Sequence, residues 1–145
     1  MSNEALRVKS VIQGLAVDRQ RYQALNALLA EQRQHIIARD AAALDAVNAQ
    51  IMALYHQLTH NSQQRYQLLD ELGIQASSLG MQSLIARLPG EHKPKVGALW
   101  RDLQQQAATC QASNDANGAL MHMQQDILVN LLNIGEPENW LYQQA

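Results

Sequence analysis

Apolar residues recur at helical spacing along almost the whole chain. From Val8 they fall at Val11, Leu15, Tyr22, Leu25, Leu29 and Ile36, three, four or seven positions apart. Such spacing puts them on one stripe of a helix. Asp18 and Gln32 interrupt that stripe. The pattern predicts a first helix from about Leu6 to Arg39, ~50 Å long at ~1.5 Å per residue. Asp40 then precedes "AAALDAV". An aspartate there predicts a sharp break, since its carboxylate can accept from the free N–H groups that open the next helix. The second stripe reads Leu44, Val47, Ile51, Leu54, Leu58, Leu68 and Leu72, with Asn61 and Arg65 in the same register. Gly73 follows, as a glycine just past a helix end should.

Residues 74–95 read as a connector. "SSLGMQSLIARLPG" predicts a short amphipathic helix with Leu79, Leu84, Ile85 and Leu88 facing inward. Pro94 suits the first turn of the next helix, where a missing N–H costs nothing. The third stripe then runs Val96, Leu99, Trp100, Leu103, Ala107, Cys110, Asn114, Asn117, Met121, Leu128 and Leu131. Asn117-Gly118 is a strong turn signal. A turn there would shift the apolar phase, and the phase does not shift. One glycine inside a helix costs about 1 kcal/mol against alanine, which a helix this long can absorb. One unbroken helix is predicted over about 95–133. It aims Asn114 and Asn117 at facing helices, with Asn61, Arg65 or Asp18 as expected partners, and lets Gly118 admit a neighbouring backbone. Gly135 and Pro137 end it.

The fold class that follows is all-α. Three long helices run up-down-up, each antiparallel to the one before, in a coiled-coil-like bundle. A short helical connector joins the second and third, and a C-terminal tail follows. Residues 1–135 form the bundle domain and 136–145 an expectedly mobile tail. Composition sharpens this reading. At 145 residues the chain is one domain by length. Aromatics are only 4% and Phe is absent, so the core must be aliphatic. Gly and Pro number 7 and 3, too few for many short elements.

Charge and cysteine usage narrow the function classes. The net charge is −2 with no basic stripe, which argues against a nucleic-acid partner. The longest apolar run falls short of the ~20 residues that span a bilayer, so membrane insertion is not expected. The N-terminus lacks a signal-peptide apolar core. The single cysteine, Cys110, allows no internal disulfide and fits a reducing, cytoplasmic setting.

Candidate catalytic chemistry is thin. His56 and His60 stand four apart, a metal-chelating spacing, but both lie off the apolar stripe and read as solvated. His122 lacks the neighbouring lysine and small residue of a phosphotransfer histidine, and His92, though flanked by lysines, is expected in a loop because of Pro94. Cys110 falls on the inner face and reads as a small buried hydrophobe rather than a nucleophile. The carboxylates form no inward Glu-x-x-His pattern of a di-iron bundle. No enzyme activity, metal or cofactor is expected. Two features ask for more. Asn114 and Asn117 on an inner face either pair with polar neighbours and fix register, or mark a face open to a partner. Trp140, Leu141 and Tyr142 lie beyond a helix-stopping proline and either dock on the bundle's own side or anchor a partner, since Trp and Tyr serve well as interface anchors.

Several segments in order carry a resemblance. "LLAEQRQHIIARDAAALDAV", "RYQLLDELGI" and "ALWRDLQQQAATCQASNDANGALM", with a tyrosine near the terminus, resemble the FlgN family of flagellar type III export chaperones. The most specific parts are Arg65-x-x-Leu68-Leu69-x-x-Leu72-Gly73 and Asn114-x-x-Asn117-Gly118-x-Leu120. The sequence departs from the family pattern after Tyr142, where "QQA" stands in place of an expected glycine. The resemblance implies a helical cytoplasmic chaperone. Its partners would be the hook-associated (hook–filament junction) proteins, bound by a terminal helix-forming segment, and the flagellar export apparatus. It also implies that the end of the third helix and the tail tyrosine bind substrate, which here means Leu128, Leu131, Leu132 and Tyr142. Trp140 and Leu141 join them on the interface argument alone. The alternatives are another helical adaptor or secretion chaperone, or a dimeric helical scaffold. An exposed apolar seam also makes a homodimer an expectation, two copies pairing until a substrate replaces one.

Overall fold

The computed structural model describes residues 2–134, with only the backbone described at 133 and 134. It contains α1 (Asn3–Ala38), α2 (Ala41–Glu71), α3 (Ser78–Ala86) and α4 (Lys93–Ile134). The all-α architecture read from the apolar spacing is the one observed, including the short helix in the second connection.

Local chemistry explains each boundary. Ser2 caps α1, its hydroxyl accepting from the Ala5 N–H at 3.1 Å. Only Arg39 and Asp40 separate α1 from α2. Arg39 takes a left-handed conformation with φ 56°, unusual outside glycine. Its N–H donates to the Ile36 carbonyl and that of Asp40 to the His35 carbonyl, both at 3.1 Å, which closes the helix end in the Schellman manner. Asp40 then caps α2, as the sequence predicts, accepting from the Ala43 N–H at 3.1 Å. The same device ends α2. Gly73, at φ 72°, donates to Asp70, and the buried Ile74 donates to Leu69, both at 2.9 Å.

α1 is the shared strut. It packs along both α2 and α4, while α2 and α4 approach each other's backbone little. Cross-helix bonds give the directions. Against α2, Arg7 meets Glu71, the Asn61 amide donates to the Gly14 carbonyl, Arg65 meets Asp18 and Gln32 donates to Asn48. From Arg7–Glu71 to Gln32–Asn48 the α1 positions rise while the α2 positions fall, so the two are antiparallel. Against α4, Arg19 faces Asp102, Asn26 donates to Gln106, and Asn117 donates to the Leu29 carbonyl. Positions rise together, so α1 and α4 are parallel.

The interior is two apolar clusters with a polar layer between. Near the α1 N-terminus, Val11, Leu15, Leu69, Met81, Trp100 and Leu103 pack together. Toward the α1–α2 turn, Leu25, Leu29, Val47, Ile51, Leu58 and Cys110 form the second cluster. Tyr22 touches both. Asp18, which breaks the apolar stripe in sequence, sits almost fully buried between them and binds Arg65 at 2.9 Å and Arg21 at 3.2 Å.

Leu79 corrects one expectation. It was expected to face inward, but it is 66% exposed. α3 turns Gly80, Met81 and Leu84 to the core, and a position five residues before Leu84 points elsewhere on so short a helix.

Candidate functional site

α4 passes through Asn114–Gly118 without a break. The three residues singled out there do not behave alike. Asn117 is buried, its amide donating to the Leu29 carbonyl at 2.8 Å and to Gln32 Oε1 at 3.0 Å. Its partners are thus on α1, rather than Asn61, Arg65 or Asp18. Those three satisfy one another or the α1 backbone instead. Asn114 is exposed, against the expectation that it points at a facing helix. Gly118 is exposed too, and a methyl group placed on it would meet nothing within 4 Å, so no backbone approaches there. The cause is common to both. α4 rests mainly on α1, and one neighbour covers only a narrow seam. Val96, Leu103, Cys110 and Asn117, seven apart, are buried; Gly97 and Trp100 join them at the start of α4, while Asn114 and Gly118, beside Asn117, are left to solvent.

The parallel register leaves the end of α4 uncovered. Asn117 stands level with Leu29. At the same offset Ala38, the last residue of α1, stands level with Asp126. About eight further residues of α4 run past the α1–α2 turn, some ~12 Å of helix. Apolar residues crowd this stretch. Ile127, Leu128, Val129, Leu131 and Leu132 are all large exposed hydrophobics, Leu132 at 65%. Met121 and Met123 extend the exposed surface toward the bundle. A contiguous apolar patch of this kind marks an interaction surface more often than chance.

Beneath the overhang lies a cavity of about 350 Å³, where Ile36, Arg39 and Leu44 face Met121 and Leu128. The two-residue turn forms its end wall. The structure therefore brings Leu128, Leu131 and Leu132 together on one free helix end, joined to a groove that the apolar spacing alone did not reveal. The signal for the groove lay in the short α1–α2 connection combined with the longer α4. Trp140, Leu141 and Tyr142 lie outside the described residues, as does the rest of the tail.

The remaining candidates do not line this groove. His56 and His60 are exposed, and among the described residues no three His, Cys, Asp or Glu side chains gather as metal ligands. His122 lies 3.7 Å from Asp126 on the α4 surface. Cys110 is buried, its Sγ 3.0 Å from Asn26 Oδ1, and burial pushes its thiol up to about 11. Such a thiol is a poor nucleophile at neutral pH.

The family model described as FlgN protein matches residues 1–139. The chain belongs to the FlgN family. FlgN proteins are flagellar export chaperones, and the match takes in both described cores and the apolar overhang. No curated protein matches the chain, and no solved structure does. No helix among the described residues is long and apolar enough to cross a membrane.

Proposed function

We propose that this FlgN-family protein is a cytoplasmic, non-catalytic chaperone that captures the terminal helical segment of the hook–filament junction proteins. It prevents their early assembly and delivers them to the type III export apparatus. The observation that carries this reading is the apolar overhang of α4. It presents Leu128, Leu131 and Leu132 at helical spacing beside an open groove, the arrangement by which amphipathic helices are held. Trp140, Leu141 and Tyr142 complete the grip from the tail. A segment that orders on binding gives reversible capture, since its ordering entropy offsets part of the contact energy. Reversibility is what a delivery role needs. No nucleotide enters the scheme.

Titration calorimetry with a purified junction-protein terminal segment tests the proposal. The unaltered chain binds. Leu131→Ser with Leu132→Ser, or removal of residues 136–145, weakens binding roughly ten-fold or more, as loss of central anchors does. The double serine change leaves the melting temperature nearly in place, because Leu131 and Leu132 support no core. Equal affinity in all three chains overturns the assignment of the site.

A further inference from the structure

A second and larger cavity, about 710 Å³, lies at the opposite end of the molecule between the start of α1, the α3–α4 connection and the start of α4. Its floor is apolar, with Val8, Ile12, Leu88 and Leu99 lining it while packing against the buried core. Its rim is cationic. Lys9, Arg87 and Lys95 line it and are exposed, and none takes part in an ion pair among the described residues. Of the acids on these segments, Glu91 lies 3.4 Å from His92 and Glu4 lines the adjoining smaller cavity beside Arg87; neither lines this one. In a chain of net charge −2 this is a local concentration of positive charge over an oily floor.

The chain carries the complement of this cavity just past α4. Glu136 and Glu138 lead into Trp140, Leu141 and Tyr142. Two acids followed by three bulky side chains match a cationic rim over an apolar floor. The segment cannot reach the cavity of its own copy. Leu99 lies 35 residues before Ile134 on the same helix, a span of ~52 Å. Six extended residues, from Ile134 to Trp140, cover at most ~20 Å. A second copy laid antiparallel removes the difficulty, because it sets its cavity end beside the tail end of the first.

We propose that residues 136–142 of one copy dock in this cavity of a second copy, reciprocally, in an antiparallel pair. Glu136 and Glu138 face Lys9, Arg87 and Lys95, while Trp140, Leu141 and Tyr142 cover the floor between Val8, Ile12, Leu88 and Leu99. A two-fold axis makes both contacts identical and closes the assembly at two copies. The pairing goes beyond the chaperone reading and does not rest on it. One consequence does rest on it: a tail held by a second copy is withheld from substrate, so pairing and capture compete.

Sedimentation of full-length chains tests the pairing. One variant carries Lys9→Glu and Lys95→Glu; the other carries Glu136→Lys and Glu138→Lys. Each alone self-associates roughly ten-fold or more weakly than the unaltered chain at low salt, since reversal replaces attraction by repulsion at both contacts. Mixed together, the two variants restore a pair, because an acidic tail again meets a basic rim and a basic tail an acidic one. At concentrations well below the pair's dissociation constant, the thermal melt of the Lys9, Lys95 variant stays near that of the unaltered chain, as the altered lysines are exposed. An unaltered chain that stays monomeric, variants that pair as it does, or a mixture that fails to restore the pair each overturn the proposal. Junction-protein titration is a separate readout, so failure of capture and failure of pairing are distinguished.

Discussion

Asn117 on α4 donates its amide to the main-chain carbonyl of Leu29 on α1 at 2.8 Å, deep in the seam between two parallel helices. A backbone acceptor of this kind fixes register along the helix axis, because sliding one turn would part donor and carbonyl. Gln32 accepts a second bond from the same amide and itself donates to Asn48 on α2. One asparagine thus ties α4 to α1, and through Gln32 to α2.

Replacing that amide by an apolar group of similar size alters stability more than binding. In Asn117→Leu the Leu29 carbonyl keeps its own helical bond and the half-buried Gln32 turns to water or Asn48. The loss is about 1 kcal/mol, the net worth of a buried hydrogen bond. Melting should fall by roughly 2–4 °C, with junction-segment affinity unchanged in calorimetry. A large loss of affinity with an unchanged melting point would place Asn117 at the binding surface instead.

The Asp18–Arg65 pair, 2.9 Å apart between the two apolar clusters, is the costlier element to break. Its side chains are 1% and 9% exposed, and Arg65 Nε has no hydrogen-bond partner among the described residues. Asp18→Asn leaves a buried guanidinium without its countercharge, a loss of about 3–5 kcal/mol. Asp18→Leu combined with Arg65→Met removes both charges and should recover most of that loss. Urea unfolding of the single and double variants reads the difference. An Asp18→Asn chain as stable as the parent would mean that water reaching the Arg65 guanidinium takes over from the carboxylate.

The helix ends were legible because they are local. Asp40 and Gly73 act through their own backbone neighbourhoods, and the apolar phase through Asn117-Gly118 reports a continuous helix directly. Asn114 and Leu79 were not legible. Periodicity gives an angle around a helix, but not how many neighbours cover that angle. A three-sided bundle would have buried Asn114; a helix resting mainly on α1 does not. The partners of Asn117 were hidden for another reason, since a main-chain carbonyl carries no residue identity. The overhang was half visible. The apolar stripe reached Leu128 and Leu131, and only the family resemblance added Leu132 and set the three apart; their exposure depends on the offset between α1 and α4. That offset is a tertiary quantity.

Two glycines should respond in opposite senses to the same change. Gly118 is an exposed helical residue with open space where a side chain would go. Gly118→Ala therefore gains about 0.5–1 kcal/mol from helix propensity. Gly80 is buried, and a methyl group there would collide with the Gln75 carbonyl oxygen, a backbone atom that cannot swing aside. Gly80→Ala must push α3 off the core that Met81 and Leu84 enter, a loss of about 1–3 kcal/mol from overpacking. Parallel thermal melts decide both signs. A Gly118→Ala chain that melts lower would reveal a neighbour at that surface.

Alkaline pH should unfold the protein through Cys110. Burial pushes its thiol from 9.0 up to about 11, so the folded chain holds the neutral form that the unfolded chain gives up sooner. The stabilisation is whole below about pH 9 and is lost as pH rises toward about 11. Tyr22 is raised in the same direction, by burial first and then by Asp18, and Tyr55 by burial and then Cys110, so both steepen the fall. Melting temperature should decline from pH 9 upward in the unaltered chain. Cys110→Ala melts lower at neutral pH, from the space it leaves beside Leu25 and Leu29, but its decline across that window is shallower. Thiol labelling at pH 8 should be slow in the folded chain and fast in denaturant, because the reacting species is the thiolate. An alanine variant whose melting temperature falls just as steeply would assign the alkaline transition to the tyrosines alone.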